Sequence, residues 1–171
     1  MKTYSTTILA GALFCATGLH AQSAHIAEGK QAFGGIKNNL IQMAEKMPEE
    51  NYAFKPTSDI RSFGEMVAHV ADAQASICSM AAAEKKSVGA ASKTAKADLV
   101  AALKESSSIC DAAWDGLTDA AAAESVKMFG STRSKLGVLE FNSLHSNEEY
   151  GYMAVYLRLK GVVPPSTANR K

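Results

Sequence analysis

The chain has 171 residues, with 18 lysines and arginines against 17 aspartates and glutamates, which gives a formal net charge of +1. This balance argues against a nucleic-acid or anionic-membrane surface, because such surfaces need clustered positive charge. Alanine is abundant, only four prolines occur, and no stretch sustains the alternation of apolar and polar residues that is typical of a strand. These features predict an all-α protein.

The N-terminal residues have the pattern of an export signal. One basic residue and a polar stretch precede an apolar run, Ile8 to Gly18, which has the length of a signal-peptide core and is too short to cross a bilayer. Small Ala21 suits the position before a cleavage site, and Ala24 is an alternative. We therefore predict a signal peptide over 1–21, a mature domain over 22–171 and a secreted or periplasmic location. A buried N-terminal helix is the alternative interpretation.

Removal of this leader leaves 150 residues, enough for one domain with a hydrophobic core. The leader contains one basic and no acidic residue, so the mature chain carries 17 charges of each sign and a net charge of zero. No later apolar run approaches the roughly 20 residues that span a bilayer. We therefore expect no nucleic-acid partner, and no membrane association once the leader is removed.

Two segments in the first half of the mature chain have the apolar spacing of helices, with steps of three, four and seven residues. The first runs from His25 to Met47, and Pro48 ends it. The second is predicted from about Arg61 to Ala83, with Ser58 or Asp59 as its N-cap.

Two further helices are predicted in the second half. A linker over Glu84 to Ala95 precedes the third, from about Lys96 to Leu117. A loop that contains Gly130 to Arg133 precedes the fourth, from about Ser134 to Lys160, and Gly161 ends it. Four helices without internal repeats predict a four-helix bundle. The apolar seam predicted for the first three helices comprises Ile26, Phe33, Ile36, Leu40, Met43, Met47, Phe63, Val67, Val70, Gln74, Ile77, Ala81, Val100, Leu103, Ser107, Cys110, Trp114 and Leu117.

Two cysteines, Cys78 and Cys110, remain in the mature chain, and an exported protein meets an oxidising environment. If the second and third helices formed a tight antiparallel hairpin, the two residues would lie far apart. If the helices run parallel, the residues lie at heights that match within about 5 Å. The linker can span about 40 Å when extended, which is enough to return along the helix. We predict a structural disulfide; two separate buried thiols are the alternative.

Two histidines and one glutamate are candidate metal ligands. His69 lies beside the apolar stripe of the second helix. His145 lies inside the fourth helix, and Glu149 follows four residues later on the same face, whereas Glu148 points about 100° away. Two neutral imidazoles and one carboxylate suit a divalent metal such as Zn, Ni, Fe or Mn, and a three-ligand site leaves positions open for catalysis. Hydrogen-bonded histidines with a purely structural role are the alternative.

Two stretches of the chain carry a family resemblance. Tyr52 to Thr57, continued by Arg61 to Asp72, is similar to the region around the first metal-binding histidine of the DinB-like family. His145 to Gly151, continued by Tyr156 to Pro165, resembles the last helix and tail of that family. This is the damage-inducible family of helical bundles, and the resemblance extends over nearly the whole mature chain.

The resemblance implies a four-helix bundle with an up-down-down-up connection, in which a long crossover makes helices two and three parallel. It also implies one metal-binding histidine on the second helix and an H-x-x-x-H pair on the fourth. Carried over, these positions are His69, His145 and position 149, where this chain has Glu149. Glutamate can bind a metal through one oxygen, so a two-histidine, one-carboxylate site and a site that has lost its metal both stay open.

Two functional hypotheses follow. The first is a divalent-metal-dependent hydrolase or transferase that acts on a small-molecule substrate. The wider family is similar to thiol-dependent transferases, but an oxidising compartment favours water over a reduced thiol. Tyr152 would orient the substrate, although we favour a bundle-core aromatic at this position. The second hypothesis is a metal-free, non-catalytic module that binds a small ligand or a second copy of itself as a homodimer. A role in DNA damage finds no support in a neutral exported chain.

Overall fold

The computed structural model describes residues 15–168, and side chains from residue 23 onward. The described chain is mostly helical. Its elements in chain order are α1 (Cys15–Lys46), a 3₁₀ turn (Glu49–Asn51), α2 (Phe63–Ala81), a second 3₁₀ turn (Ala90–Ser92), α3 (Lys96–Asp115), α4 (Asp119–Ala122), β1 (Ser125–Met128), β2 (Ser131–Ser134), α5 (Lys135–Leu159) and α6 (Pro165–Ala168).

The four predicted helices correspond to α1, α2, α3 and α5. Their ends agree with the prediction to within two residues, except at the start of α1, which lies at Cys15 and not at His25. This start falls inside the predicted leader, of which residues 1–14 lie outside the described residues. Cleavage after Ala21 therefore stays a prediction.

The N-terminus of α2 is fixed by a reciprocal pair of hydrogen bonds. The Ser62 hydroxyl accepts from the backbone N–H of Glu65 at 3.2 Å, and the Glu65 carboxylate accepts from the backbone N–H of Ser62 at 2.6 Å. Such a capping box satisfies two N–H groups that a helix start otherwise leaves unpaired. The predicted caps, Ser58 and Asp59, were wrong; the Asp59 carboxylate instead accepts from the Thr57 hydroxyl at 2.6 Å.

A two-stranded antiparallel hairpin replaces the loop predicted before the fourth helix. β1 and β2 pair from Ser125 with Ser134 to Met128 with Ser131. The two residues between the strands, Phe129 and Gly130, both have positive φ angles, 49° and 82°, as a type I′ turn requires. The described chain remains mostly helical with this one short hairpin, which is consistent with the predicted all-α fold class. The strands are short and mostly exposed, so they lack the apolar alternation that would have predicted them.

Contacts along α2 and α3 advance in the same direction, so these two helices run parallel. The backbone of Gly64 packs against Leu99 near their N-termini. Further along, the Ser106 hydroxyl donates to the Gln74 side-chain oxygen at 3.1 Å. The connecting segment is held to α2 because the Asp72 carboxylate accepts from two backbone N–H groups, those of residues 90 and 91, at 2.8 Å each.

α5 packs against α2 in the opposite direction. The Gln74 amide donates to the Ser146 hydroxyl at 3.1 Å, and nearer the start of α2 the Tyr156 hydroxyl donates to the Arg61 carbonyl at 2.8 Å. α2 therefore contacts both α3 and α5 and holds His69, which is half-buried, on the side that faces α5. None of the helices in the described part of the chain is long and apolar enough to cross a membrane.

The core consists of two apolar clusters, one around Phe63 and one around Trp114. The residues of the predicted seam are buried, except that Ile36, Val100 and Leu117 are half-buried. The period of three and four residues thus identified which face of each helix is buried.

Two cysteines, Cys78 and Cys110, lie side by side on the parallel helices. The sulfur atoms of Cys78 and Cys110 are 2.01 Å apart and their Cα atoms 5.0 Å apart, so the pair is at disulfide distance. Both side chains are fully buried, and the Asn142 amide approaches the Cys110 sulfur at 3.5 Å. The arrangement is the one that a parallel α2 and α3 predicts.

Candidate metal centre

Three side chains meet where α2 packs against α5, with both histidines half-buried and the glutamate buried. His69 comes from α2, and His145 and Glu149 lie one turn apart on the same face of α5. One nitrogen of each imidazole and one carboxylate oxygen all lie within 4.8 Å of one another. The structure therefore brings together the three residues that the sequence analysis selected as metal ligands.

Each imidazole directs its Nε2 atom at the same carboxylate oxygen, Oε1 of Glu149. The Nε2 atom of His69 is 3.4 Å from Oε1 of Glu149, and the Nε2 atom of His145 is 3.5 Å from it. The two rings lie edge to face, with centroids 5.2 Å apart and planes inclined by 69°. Three donor atoms that converge in this way can bind one cation between them.

Burial at this site leaves polar atoms without partners. Glu149 is only 7% exposed. Within the described part of the chain, its second oxygen, Oε2, and the Nδ1 atom of His145 are buried and make no hydrogen bond. A buried carboxylate with unmet hydrogen-bonding capacity costs free energy, and a divalent cation would offset that cost. The residues at this site therefore fit a divalent metal.

The electrostatic environment favours the neutral form of His69. Burial is the main cause that lowers the pKa of His69 below its usual value, and the positive charge of Arg61 lowers it further. The carboxylate of Glu149 opposes both effects without reversing them. Neutral imidazole is the form that binds metals, so His69 is ready to act as a ligand at neutral pH.

Two cavities adjoin two of the three candidate ligands, His69 and Glu149. The first, which we call the polar cavity, has a volume of about 510 Å³ and includes His69 in its lining; the second, the apolar cavity, has a volume of about 670 Å³ and includes Glu149. Both volumes are in the range of small-molecule sites. Three consecutive residues that precede α2 line both cavities, namely Asp59, Ile60 and Arg61.

Tyr152 lies at the solvent-exposed edge of the apolar cavity, with 53% of its surface exposed. Its hydroxyl donates to the Glu148 carboxylate at 2.9 Å, and this hydrogen bond raises the pKa of Tyr152. The favoured interpretation of Tyr152 as a bundle-core aromatic was wrong. Tyr156, one turn later, is the buried aromatic of this stripe.

The position of Arg61 was not predicted from the sequence. Arg61 was expected only at the approximate start of the second helix, whereas it lies in the lining of both cavities. An arginine ahead of a helix is usually a solvated charge, so only the path of the preceding loop could have indicated this position.

A family model of the DinB superfamily matches residues 33–153, which is well over half of the chain. The chain belongs to the DinB superfamily. The match includes all of α2 and both candidate ligand positions on α5.

Solved structures of DinB-like proteins have a similar fold to this DinB-superfamily protein. A DinB-like protein from Bacillus cereus is 17% identical, with a TM-score of 0.71, over 79% of this chain and 92% of that one. A DinB-like protein from Bacillus subtilis is 20% identical, with a TM-score of 0.65, over 78% of this chain and 92% of that one. None of the curated proteins matches the sequence significantly.

Proposed function

We propose that His69, His145 and Glu149 bind a divalent metal ion, and that this DinB-superfamily protein uses the ion as a hydrolase or transferase of a small-molecule substrate. The observation that carries the proposal is the convergence of three ligand atoms within 4.8 Å. The buried Glu149 carboxylate, with one oxygen left without a hydrogen bond, supports it.

A divalent metal held by three ligands supplies Lewis acidity and keeps coordination positions open for the reaction. Glu149 contributes the negative charge that a set of three imidazoles lacks, and this donor set suits Zn, Ni, Fe or Mn. The hydroxyl of Tyr152 lies at the edge of the apolar cavity, where it can orient a substrate by hydrogen bonding. Met66 and Val155 line the same cavity and keep water away from the apolar side of the substrate.

One observation favours a second candidate, a metal-free and non-catalytic module that binds a small ligand. The same oxygen of Glu149 lies 3.4 Å from His69 and 3.5 Å from His145. A protonated imidazole would therefore form an ion pair with the carboxylate of Glu149 and stabilise it without any metal. The two candidates differ in one property, the affinity of the cluster for divalent ions.

Two adjacent glutamates on α5 make a matched test. The carboxylate of Glu149 faces the imidazoles, whereas the carboxylate of exposed Glu148 accepts a hydrogen bond from Tyr152. We expect Glu149→Gln to weaken binding of Zn²⁺ or Mn²⁺ by more than about tenfold, since loss of even an outer partner of a ligand costs about 10- to 100-fold. Glu148→Gln should bind like the wild type. Calorimetric titration of the chelator-treated protein measures both, and equal affinities in the two variants would contradict the proposal.

A third variant, Glu149→His, separates an active site from a vestigial one. It restores the three-imidazole set that the family resemblance implies. If the wild type binds no metal and this variant binds it, the non-catalytic candidate is correct for the present chain. If the wild type binds metal, its analysis after purification from its native compartment identifies the ion.

We further propose that the four long helices form the up-down-down-up bundle implied by the family resemblance. The parallel contacts of α2 with α3 and the antiparallel contacts of α2 with α5 support this connection. Export, with cleavage after Ala21, is part of the same proposal, as are the absence of a nucleic-acid partner and the capacity to form a homodimer. N-terminal sequencing of the protein secreted or recovered from the periplasm tests the cleavage site.

A further inference from the structure

Arg61 occupies the wall shared by the polar and apolar cavities. Its backbone is fixed, because its carbonyl oxygen accepts a hydrogen bond of 2.8 Å from the hydroxyl of Tyr156, which is buried in the core. The side chain is exposed. Arg61 is thus a cation whose backbone is held in place. It lines both the cavity that includes His69 and the cavity that includes Glu149.

Within the described residues, no carboxylate forms an ion pair with Arg61. The acidic side chains that line the polar cavity are bound elsewhere. Asp59 accepts from Thr57, and Glu65 caps α2 and contacts Lys55. Asp72 accepts from the linker backbone. The guanidinium group therefore has its hydrogen-bond donors available for an external anion.

The apolar cavity offers a surface for the uncharged part of a ligand. Apart from Asp59, Arg61 and Glu149, its lining is aliphatic or aromatic: Pro56, Ile60, Met66, Tyr152, Val155 and Tyr156. Ile60, Tyr152 and Val155 are among the exposed large hydrophobic residues of the described chain. Exposed apolar groups that gather in a cavity are typical of a ligand site, whereas scattered ones need no explanation.

We infer that this site binds a small amphipathic organic anion, with its oxyanion on the guanidinium group of Arg61 and its apolar body in the apolar cavity beside Glu149. Guanidinium binds both carboxylate and phosphate through paired hydrogen bonds, so the shared chemistry is that of an oxyanion. The inference deepens the proposed function by naming its substrate class, and it rests on that proposal only for the reaction at the metal centre.

The experiment uses the full mature chain after treatment with a chelator, so that no metal contributes to binding. Four probes are titrated by calorimetry or NMR: hexanoate, hexyl phosphate, 1-hexanol and acetate. We expect binding of at least one of the two hexyl anions, and which of them is tighter distinguishes a carboxylate from a phosphate substrate. 1-Hexanol lacks the charge and acetate lacks the apolar body, so both should bind at least about tenfold more weakly.

Matched arginine variants test the role of the cation. Arg61→Gln should weaken binding of the preferred hexyl anion by about tenfold or more, as expected for loss of hydrogen bonds to a charged group. Arg133→Gln, which changes an exposed arginine on β2 that lines neither cavity, should leave binding unchanged. Arg61→Lys keeps the charge but loses the paired geometry, and we expect an intermediate affinity.

Matched valine variants test the apolar part. Val155 is 53% exposed and lines the apolar cavity, whereas Val163 is 54% exposed and does not. We expect Val155→Ala to weaken binding of the hexyl anion by about threefold, from the apolar contact it removes, and Val163→Ala to have no effect.

The inference is overturned if 1-hexanol binds as tightly as the hexyl anions, if neither anion binds, or if Arg61→Gln binds like Arg133→Gln. Circular dichroism of each variant establishes that it is folded, and Arg61→Lys still tests the claim should Arg61→Gln not fold. Because the protein is metal-free in this assay, Arg61-dependent anion binding supports the inference even if titration shows no metal site. Metal binding without anion binding would support only the proposed function.

Discussion

Two neighbouring residues on α5, Glu148 and Glu149, show that residue type alone does not determine whether a side chain reaches the candidate metal site. They have the same side chain, yet Glu148 is exposed and Glu149 is 7% exposed against two imidazoles. The difference follows from the helical period, which turns successive side chains by about 100°. Position 149 is also where the family resemblance implies a histidine, and the carboxylate at this candidate ligand position still converges with the two imidazoles.

The pKa of His69 leads to a prediction about pH. Because the folded protein lowers this pKa, the unfolded chain binds more protons than the folded one as the pH falls through the unfolded value of about 6.5. The metal-free protein should therefore lose stability between pH 7.5 and 5.5, and His69→Gln should lose less. Urea denaturation at each pH measures the difference. An equal loss of unfolding free energy in the two proteins would show that His69 does not have a lowered pKa.

The convergence of the three candidate ligands could be expected from the sequence, whereas the surrounding cavities could not. His69, His145 and Glu149 lie on helices, where spacing determines which side chains share a face. Arg61 and the exposed edge at Tyr152 depend instead on the path of the segment that precedes α2. That path is determined by tertiary contacts such as the hydrogen bond from Tyr156 to Arg61, which no local pattern encodes.

At the scale of elements, helices were predicted well and their caps were not. Apolar periodicity placed α2 and α3 because it extends over many turns. The start of α2 depends on one serine, Ser62, and three serines or aspartates within five residues, Ser58, Asp59 and Ser62, were all chemically suitable caps. The hairpin of β1 and β2 was missed because its strands are polar and mostly exposed. They therefore lack the alternation of apolar and polar residues that predicts a strand.

The capping box gives a prediction for α2. Ser62→Ala removes the side-chain acceptor of the Glu65 N–H group and should lower the free energy of unfolding by about 1 kcal/mol. The matched control is Ser58→Ala, at an exposed position outside the helix, which should change stability by less than about 0.5 kcal/mol. Thermal or urea denaturation compares the two. A Ser58 variant less stable than the Ser62 variant would contradict the assignment of the cap.

At the scale of the whole molecule, the pairing of Cys78 with Cys110 and the parallel packing of α2 and α3 support each other. The two cysteines are separated by 32 residues in the sequence, and the linker between α2 and α3 lies between them. Because this linker runs back along α2 before α3 begins, the two helices are parallel and the cysteines lie at the same height. The sequence left this choice open, because linker length permits a crossover but does not require one.

Reduction tests the link between the two helices. Loss of a disulfide that closes a loop of this length should lower the free energy of unfolding by about 3–4 kcal/mol. We expect the denatured, unreduced mature protein to contain no free thiol, and the double variant Cys78→Ala, Cys110→Ala to be as unstable as the reduced wild type. Thiol titration and urea denaturation measure these properties. Two free thiols per mature chain would contradict the disulfide.

The location of a bound metal tests the central claim most directly. Crystals of the protein grown with Zn²⁺ or Mn²⁺ should show an anomalous scattering peak between the Nε2 atoms of His69 and His145 and the carboxylate of Glu149. At a metal concentration that just saturates the wild type, the peak should be weaker in Glu149→Gln and unchanged in Glu148→Gln. A saturating metal concentration that yields no peak at these three residues, or a peak only at surface carboxylates, would contradict it.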